Sequence, residues 1–226
     1  MSVKIITPTP NLTESLEFYK KLNFKVESSG TSYLVSDAKI TIELSDSKKY
    51  RKGFKISTSN KAKLINKLSS HTILLNQDDD SIAVDRNGLW YYITEEDFTT
   101  ADGSNQSILG TNFGVSIETA HMQHTKDLLI LLGFKLQMEN EEQGFIQLKT
   151  KDDFYISLMK PFSCPHLFNN PALNYFNGKD NLNIIDHIKT KNISVYENIT
   201  AFNTENLVDN ISLMDPSGIG FFIFND

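Results

Sequence analysis

The chain alternates short segments of apolar and polar residues with segments in which apolar residues recur every three or four positions. In residues 3–9 the alternation predicts a β-strand, and from Asn11 the spacing becomes that of a helix. Asn11 followed three residues later by Glu14 is the arrangement of a capping box, which predicts the first turn of this helix. The apolar stripe of the helix is Leu12, Leu16, Tyr19 and Leu22. Short alternating segments then predict three strands, at 24–28, 31–36 and 39–45.

The same order of elements is predicted four times. The second quarter has a strand at 53–58, a helix capped by Asn60, and strands near 72–75, 81–85 and 89–94. The third has a strand at 111–118, a helix at 122–132, and strands near 134–139, 143–149 and 153–159. The fourth has a strand at 172–177, a helix at 181–190 behind Asp180, and strands near 193–197, 208–214 and 219–225. Four βαβββ modules predict an α+β fold in which mixed sheets carry helices on their outer face.

The two halves of the chain also repeat each other in sequence. Residues 16–25, LEFYKKLNFK, have a counterpart in residues 126–135, KDLLILLGFK, and residues 85–93 have one in residues 215–223. More residues separate the second pair of matching segments than the first, so the second half contains an insertion. Because prolines oppose regular elements, we expect most of this insertion at 161–171. A small, polar segment divides the repeats, which predicts a first domain at 1–98, a linker at 99–107 and a second domain at 108–226.

Composition and charge restrict the function. The chain has 226 residues, of which 39% are hydrophobic, and a formal net charge of −6. No basic field is available to hold a nucleic-acid backbone, so a nucleic acid is not expected as a partner. The single cysteine, Cys164, excludes an intramolecular disulfide or a cysteine-rich zinc module. The sequence shows neither a signal peptide nor a long apolar span, so we expect a soluble, cytoplasmic protein without a membrane partner.

These motifs resemble the vicinal oxygen chelate superfamily, which includes glyoxalase I, bleomycin-resistance proteins, fosfomycin-resistance enzymes and extradiol dioxygenases. Its first helix commonly reads Asp-Leu-x-x-Ser-Leu-x-Phe-Tyr and ends in Leu-Gly-Phe; here residues 11–19 read NLTESLEFY and 22–24 read LNF. Its last hairpin commonly contains Asp-Pro-Asp-Gly, and residues 85–88 and 215–218 read DRNG and DPSG. The resemblance implies two glyoxalase-like domains, each with a cup in which four strands can converge on a divalent metal.

Most positions at which the resemblance implies a metal ligand carry residues that cannot coordinate a metal. In the first domain they fall near Lys4, at Glu43, near Gly53 or Phe54, and at Tyr92. A charged lysine cannot coordinate a metal, so only one carboxylate and a phenol remain. In the second domain they fall near Gly114, at Ser157, near Leu173 or Asn174, and at Phe222, where no acid or imidazole occurs. We therefore expect no metal cofactor, although a weakly bound divalent metal belongs to the alternative below.

Glu43 beside Lys4 has two interpretations. The pair is either a carboxylate that orients a substrate or transfers a proton, or a salt bridge at the edge of the sheet. Trp90 and Tyr92 face one side of their predicted strand and Tyr91 the other. Trp90, Tyr92 and Phe222 then line apolar cups suited to a flat organic ligand, or they belong to ordinary cores.

The remaining histidines and the cysteine suggest no site. His121 and His124 are spaced at i and i+3 at a helix start, where we expect them to face solvent. Cys164 and His166 lie in the insertion, which we interpret as a structural or incidental loop. His71 and His187 are expected only to pack or to interact with helix ends.

Three functions are then open. The first is a metal-free protein of the glyoxalase and bleomycin-resistance type that binds a small organic molecule through Lys4, Glu43, Trp90, Tyr92 and Phe222, as a monomer or homodimer. The alternative is a lyase, isomerase or dioxygenase-like enzyme that uses Glu43, its best catalytic candidate, with or without a weakly bound metal. The third is a domain that serves only protein association.

Overall fold

The computed structural model describes residues 1–38, 40–98, 105–140 and 142–225. Most of the predicted linker, residues 99–104, lies outside these ranges, so the domain boundaries at 98 and 108 stay a prediction. Of the described linker residues, Ser107 is buried, and its backbone N–H and hydroxyl donate to Asp37 at 2.6 and 2.8 Å.

Each half contains two modules with the predicted order of elements. The elements of the first half are β1 (Val3–Pro8), α1 (Leu12–Lys21), β2 (Lys25–Ser29), β3 (Ser32–Asp37), β4 (Ile40–Ser45), β5 (Gly53–Ser57), α2 (Lys61–Leu68), β6 (Ile73–Gln77), β7 (Asp80–Val84) and β8 (Trp90–Thr94). Those of the second half are β9 (Asn112–Glu118), α3 (Met122–Leu131), β10 (Lys135–Asn140), β11 (Phe145–Lys149), β12 (Tyr155–Met159), β13 (Ala172–Phe176), α4 (Asn181–Thr190), β14 (Glu197–Ile199), β15 (Asn210–Met214) and β16 (Gly220–Phe224).

Each half forms one eight-stranded mixed sheet. The strand orders are β2-β3-β4-β1-β5-β8-β7-β6 and β10-β11-β12-β9-β13-β16-β15-β14. The two modules of a half join through an antiparallel pair, β1 with β5 and β9 with β13. This is the predicted α+β fold of two vicinal oxygen chelate domains built from four βαβββ modules.

The predicted helix starts at Asn11 and Asn60 are confirmed. The Asn11 side chain accepts a hydrogen bond from the Glu14 amide, which is the capping bond, and donates one to the Glu14 carboxylate. The Asn11 backbone N–H donates to the Thr9 hydroxyl, so the second bond of a full capping box is replaced. Asn60 accepts from the amide of Lys63. The helix predicted at 181–190 behind Asp180 is also confirmed; the Asp180 side chain makes no capping bond, and a 3-10 turn over Gly178–Asp180 leads into α4.

One strand lies later than predicted. The strand expected at 193–197 is β14, at Glu197–Ile199. Ile193 and Val195, the apolar residues that produced the expectation, pack on the core from an irregular segment. The alternating pattern here therefore reflects burial without strand pairing.

The two faces of each sheet have different surroundings. Tyr91 points to the helix-covered face, where its ring stacks on Phe54 with the centroids 5.7 Å apart, whereas Trp90 and Tyr92 point to the opposite face. This confirms the predicted alternation along β8. We call the uncovered faces of the first and second sheets the N-terminal cup and the C-terminal cup.

The helix-covered faces of both sheets share one continuous core. Buried residues of the two halves belong to a single apolar cluster, and Tyr19 and Phe24 of the first half contact the ring of Phe221 in the second, with centroids 6.1 and 6.3 Å apart. The halves therefore pack through the faces opposite to the cups.

Buried aspartates link the halves across this core. The Tyr19 hydroxyl donates to Asp215 Oδ2 at 2.9 Å, and the Tyr175 hydroxyl donates to Asp37 Oδ2 at 2.7 Å. Burial raises the pKa of both carboxyl groups, and the hydrogen bonds that they accept oppose that rise.

We predict that Tyr19→Phe lowers the free energy of unfolding by about 1–3 kcal/mol, because Asp215 loses a donor in a buried site. Loss of the donor also raises the pKa of folded Asp215 further. The loss of stability is then smallest below about pH 4, where the carboxyl is protonated in both states, and it grows as the pH rises through the folded-state pKa. Urea unfolding at several pH values measures it. The exposed Tyr196→Phe is the control, with a change within about 0.5 kcal/mol; equal effects of the two variants at every pH would refute the role of the bond.

Candidate functional site

The strand register shows which side chains meet in the N-terminal cup. Lys4 is paired with Lys55, and Lys55 with Tyr92, while Glu43 lies on the neighbouring strand opposite Ile6. The third position was expected near Gly53 or Phe54; Phe54 points into the core, and the side chain that faces the cup beside Tyr92 is that of Lys55.

Gly53 has a different reason for being glycine. A Cβ atom at this residue would lie 1.9 Å from the carbonyl oxygen of Trp90, so only glycine permits this approach of β5 to β8. The residue two positions further on shares the cup face, and this period-two relation is the signal in the sequence that identifies Lys55.

Lys4 and Glu43 form a nearly buried ion pair. Their Nζ and Oε2 atoms are 2.8 Å apart, with side-chain exposures of 8% and 12%. The Ser32 hydroxyl donates to the other oxygen of Glu43 at 3.1 Å, and Lys4 Nζ lies 4.4 Å from the centroid of the Phe98 ring. Both carboxylate oxygens therefore have partners, and the ammonium group is covered by an aromatic face.

A second ion pair lies beside the first. Lys55 Nζ is 3.2 Å from an oxygen of Asp80 and 3.7 Å from one of Glu96. Lys55 and Asp80 are about as buried as the first pair, whereas Glu96 is exposed. Burial lowers the pKa of Lys55, but the carboxylates outweigh this effect and hold it above the ordinary value. Two lysines and two buried acids thus neutralise each other.

The aromatic residues of the N-terminal cup contact each other. The Tyr92 hydroxyl accepts a hydrogen bond from the Arg51 amide at 2.7 Å and donates one to the Arg51 carbonyl at 3.1 Å. Burial raises the pKa of Tyr92 to about 12. Its ring lies 5.6 Å from that of Tyr50 and 6.0 Å from that of Trp90. Tyr92 is fully buried, so the protein itself occupies the space around its ring.

The chemistry of these donors does not fit a divalent metal. Two of the four converging positions carry ammonium groups, Glu43 is paired with one of them, and the Tyr92 hydroxyl keeps its proton in a bond to the backbone. Within the described part of the chain, no three histidine, cysteine, aspartate or glutamate side chains are grouped closely enough to hold a metal ion.

The C-terminal cup carries neutral groups at the equivalent positions. Gly114 is paired with Asn174, Asn174 with Phe222, and Ser157 lies on the neighbouring strand opposite Ser116. Of the two alternatives for the third position, Asn174 faces the cup and Leu173 faces the core. The Asn174 side chain donates to Ser116 Oγ at 2.6 Å.

The proline-rich insertion folds across this cup. The rings of His166 and Phe168 lie 4.6 and 5.0 Å from that of Phe222. The insertion is irregular, as predicted, and of the two interpretations of His166, structural or incidental, the ring contacts favour the structural one, because its ring covers Phe222 and Phe224. The prolines indicated where the strand ends and gave no information about where the loop then packs.

Hydrogen bonds hold the insertion in place. Asn170 accepts from the Glu118 amide and donates to the Glu118 carbonyl, and Glu118 Oε1 accepts from the amide of Phe162 at 3.1 Å. The Leu167 amide donates to Glu197 at 2.7 Å. The Glu118 carboxylate thereby holds the start of the loop, the Glu197 carboxylate its middle, and the Glu118 backbone its end.

A cavity of about 190 Å³ lies between the insertion and the sheet. It is lined by Phe113, Ser116, Phe145, Ser157, Met159, Cys164, His166, Phe168, Asn174, Phe176, Phe222 and Phe224. Most of this surface is aromatic, and its polar groups come mainly from the strands that form the floor. Burial, and the charge of nearby Glu118, raise the pKa of the Cys164 thiol, which therefore stays protonated near neutral pH.

The other histidines meet across the two halves. The ring of His124 on α3 stacks on that of His71 with the centroids 4.7 Å apart, so the expectation that His124 faces solvent was wrong. Its burial lowers its pKa. His121 is exposed, as expected, and His187 is exposed in the last turn of α4.

Comparisons with known proteins found likeness in structure only. No protein-family model and no curated protein sequence matches the chain. Among solved structures, 4-hydroxymandelate synthase from Streptomyces coelicolor, in a mutant form, aligns with a TM-score of 0.59 and 8% identity over 97% of this chain and 90% of that one. A 2,2',3-trihydroxybiphenyl 1,2-dioxygenase from Sphingomonas wittichii aligns with 0.56 and 14% identity over 99% and 91%. BphC, a halotolerant catechol dioxygenase, aligns with 0.56 and 10% identity over 97% and 84%.

These likenesses show the fold. The chain has the vicinal oxygen chelate fold over nearly its whole length, as the motifs implied. In the described ranges, no helix has the length and apolar character needed to cross a membrane.

We predict that Glu43→Gln destabilises the protein by about 3 kcal/mol, because it leaves the Lys4 ammonium buried beside a neutral amide. Adding Lys4→Met removes that unpaired charge and should recover most of the loss. Chemical unfolding of the two single variants and the double variant measures the coupling. Glu27→Gln in the exposed pair with Lys25 is the control, with a change within about 0.5 kcal/mol. Independent, additive effects of the two cup substitutions would contradict the proposed pairing.

Proposed function

We propose, on the premise of the vicinal oxygen chelate fold, that this protein binds a small, flat, apolar molecule without a metal, in the C-terminal cup. The observation that carries the proposal is the aromatic cavity of about 190 Å³ beneath the insertion. An apolar cavity of about 150 Å³ is large enough for a benzene molecule, so this one accepts a single substituted ring.

The positions of the aromatic rings support this ligand class. His166 and Phe168 approach Phe222 edge-on from above, and Phe222 is stacked on Phe224 at 5.5 Å. A flat ligand among such rings gains both apolar burial and edge-to-face contacts. Few convergent polar groups in a mostly apolar pocket are typical of small-molecule sites.

The insertion helps to hold a bound ligand in the cavity. Gly220 faces the loop, and a Cβ atom there would lie 2.9 Å from the Cβ of Asn169. The glycine therefore allows the loop to approach β16 closely. With both of its ends bonded to Glu118 and its middle to Glu197, the loop covers a bound ring without having to be ordered by it, which lowers the entropic cost of binding.

Under this proposal the ligand does not contact Trp90, Tyr92, Glu43 or Lys4. Those residues were candidates because of their position in the fold, but their side chains already contact each other or the loop around Arg51. We assign them to the stability of the N-terminal cup, and Phe222 to ligand binding.

We predict that toluene binds with a Kd of about 0.2 mM, which is about −0.7 kcal/mol per non-hydrogen atom and roughly half the ceiling for a ligand of its size. At ten times that concentration it should add about 1.4 kcal/mol to the free energy of unfolding and raise Tm by about 3–5 °C. Thermal unfolding with and without EDTA, together with calorimetric titration, measures this effect. Absence of a shift, or a shift that EDTA abolishes, would overturn metal-free binding.

A pair of variants locates the site. Ser157→Leu introduces a side chain from the floor into the cavity and should abolish the effect of toluene, whereas the same substitution at the exposed Ser194 should leave it intact. Equal toluene binding by both variants would place the ligand elsewhere.

An enzyme that uses Glu43 is the second candidate. It is favoured by the carboxylate kept at the superfamily's position and by the likeness to dioxygenase structures. Turnover that is lost in Glu43→Gln while toluene binding persists would support it.

A further inference from the structure

The floor of the C-terminal cavity contains polar groups with unused hydrogen-bonding capacity. Asn174 uses its amide nitrogen to donate to Ser116 Oγ, and Asn174 is only 5% exposed. In the described part of the chain, neither Asn174 Oδ1 nor the Ser157 hydroxyl has a side-chain or loop partner, and both residues line the cavity. Neither atom is sealed inside the protein, and both residues line the cavity, so both atoms are open to the polar end of a molecule bound there.

The kind of ligand group follows from the valence of these atoms. The carbonyl oxygen of Asn174 only accepts, so the ligand must donate to it, while the Ser157 hydroxyl can donate to the same ligand atom. A hydroxyl satisfies both, since it donates one hydrogen bond and accepts another. A methyl group or a halogen would leave the Asn174 oxygen buried without a partner.

The electrostatics of the cavity disfavour an anion. No lysine, arginine, aspartate or glutamate is among the described residues that line it. The nearest carboxylate of the loop anchor, Glu118, already raises the pKa of Cys164, together with burial, and so opposes negative charge at this site. A carboxylate or phenolate would be desolvated here without a counter-charge.

We infer that the ligand is a neutral molecule with one aromatic ring and a hydroxyl group, the hydroxyl directed to Asn174 Oδ1 and Ser157 Oγ and the ring held against Phe222. This inference rests on the proposed function, since it names the chemistry of the same cavity. Phenol, toluene and benzoate are suitable probes because they differ mainly in the group directed to the floor.

Calorimetric titration of the three probes into the wild-type chain and into Asn174→Leu tests the inference. Phenol should bind the wild type at least tenfold more tightly than benzoate. Asn174→Leu should weaken phenol about tenfold, the effect of one good hydrogen bond, and leave toluene unchanged or slightly tighter. Retained toluene binding also shows that the variant is folded.

The outcomes distinguish a failure of the hydroxyl assignment from a failure of the proposed function. Binding of toluene by the wild type, with phenol unaffected by Asn174→Leu or weaker than benzoate, would overturn the hydroxyl assignment and leave the proposed function standing. Absence of binding for both toluene and phenol would overturn the proposed function itself. If Asn174→Leu does not fold, Ser157→Ala is titrated instead. This variant should bind phenol about threefold to tenfold more weakly than the wild type and toluene equally well. Equal affinity of phenol for Ser157→Ala and the wild type would then contradict the inference.

Discussion

The structure depends on a buried interface at which each half of the chain supplies aspartates to the other. Asp215 accepts a hydrogen bond from Tyr19, Asp37 from Tyr175, and Asp85 from the hydroxyl of Thr125, in each case across the repeat. A carboxylate in an apolar core is stable only while such donors are present, so the two halves are bound to a single relative placement. That placement uses up the helix-covered faces and leaves both cups on the outside.

The two cups carry different residues at the equivalent positions of their strands. Lys4, Lys55 and Tyr92 in the first correspond to Gly114, Asn174 and Phe222 in the second. In the first, long charged side chains pair with acids. In the second, smaller neutral residues leave a space that the insertion covers. The difference in side-chain volume and charge therefore gives one cup lined by ion pairs and one lined by neutral, mostly aromatic side chains.

Local sequence signals predicted the fold well, because they act over a few residues. The capping box at Asn11, the alternation around Tyr91 and the repeated turns at 85–88 and 215–218 each fix an element or its orientation regardless of what packs against it. Four such modules in series were enough for the class of fold. The displaced strand β14 shows the limit, since an alternating pattern records burial and does not identify the pairing partner.

The candidate site was less predictable because its contacts are made between distant segments. Lys55 was missed by two residues, since the close approach of Gly53 to Trp90 is visible only when β5 and β8 are side by side. The role of His166 was missed for a stronger reason: the sequence shows an irregular loop, but not that its anchors are Glu118 and Glu197. Contacts that close a cavity depend on the path of a loop, for which no periodic pattern exists.

The N-terminal cup suggests why a fold that commonly surrounds a metal remains stable with this ligand set. A carboxylate facing the interior of the cup needs positive charge, and here Lys4 Nζ provides it at 2.8 Å from Glu43. The lysine thus supplies the counter-charge of the carboxylate from the same chain, and Glu43 does not depend on an ion from solvent for its pairing. The N-terminal cup is consequently lined by paired charges. Under the proposed function, a neutral aromatic ligand binds instead where the lining carries no charged side chain, in the cavity under the insertion of the second half.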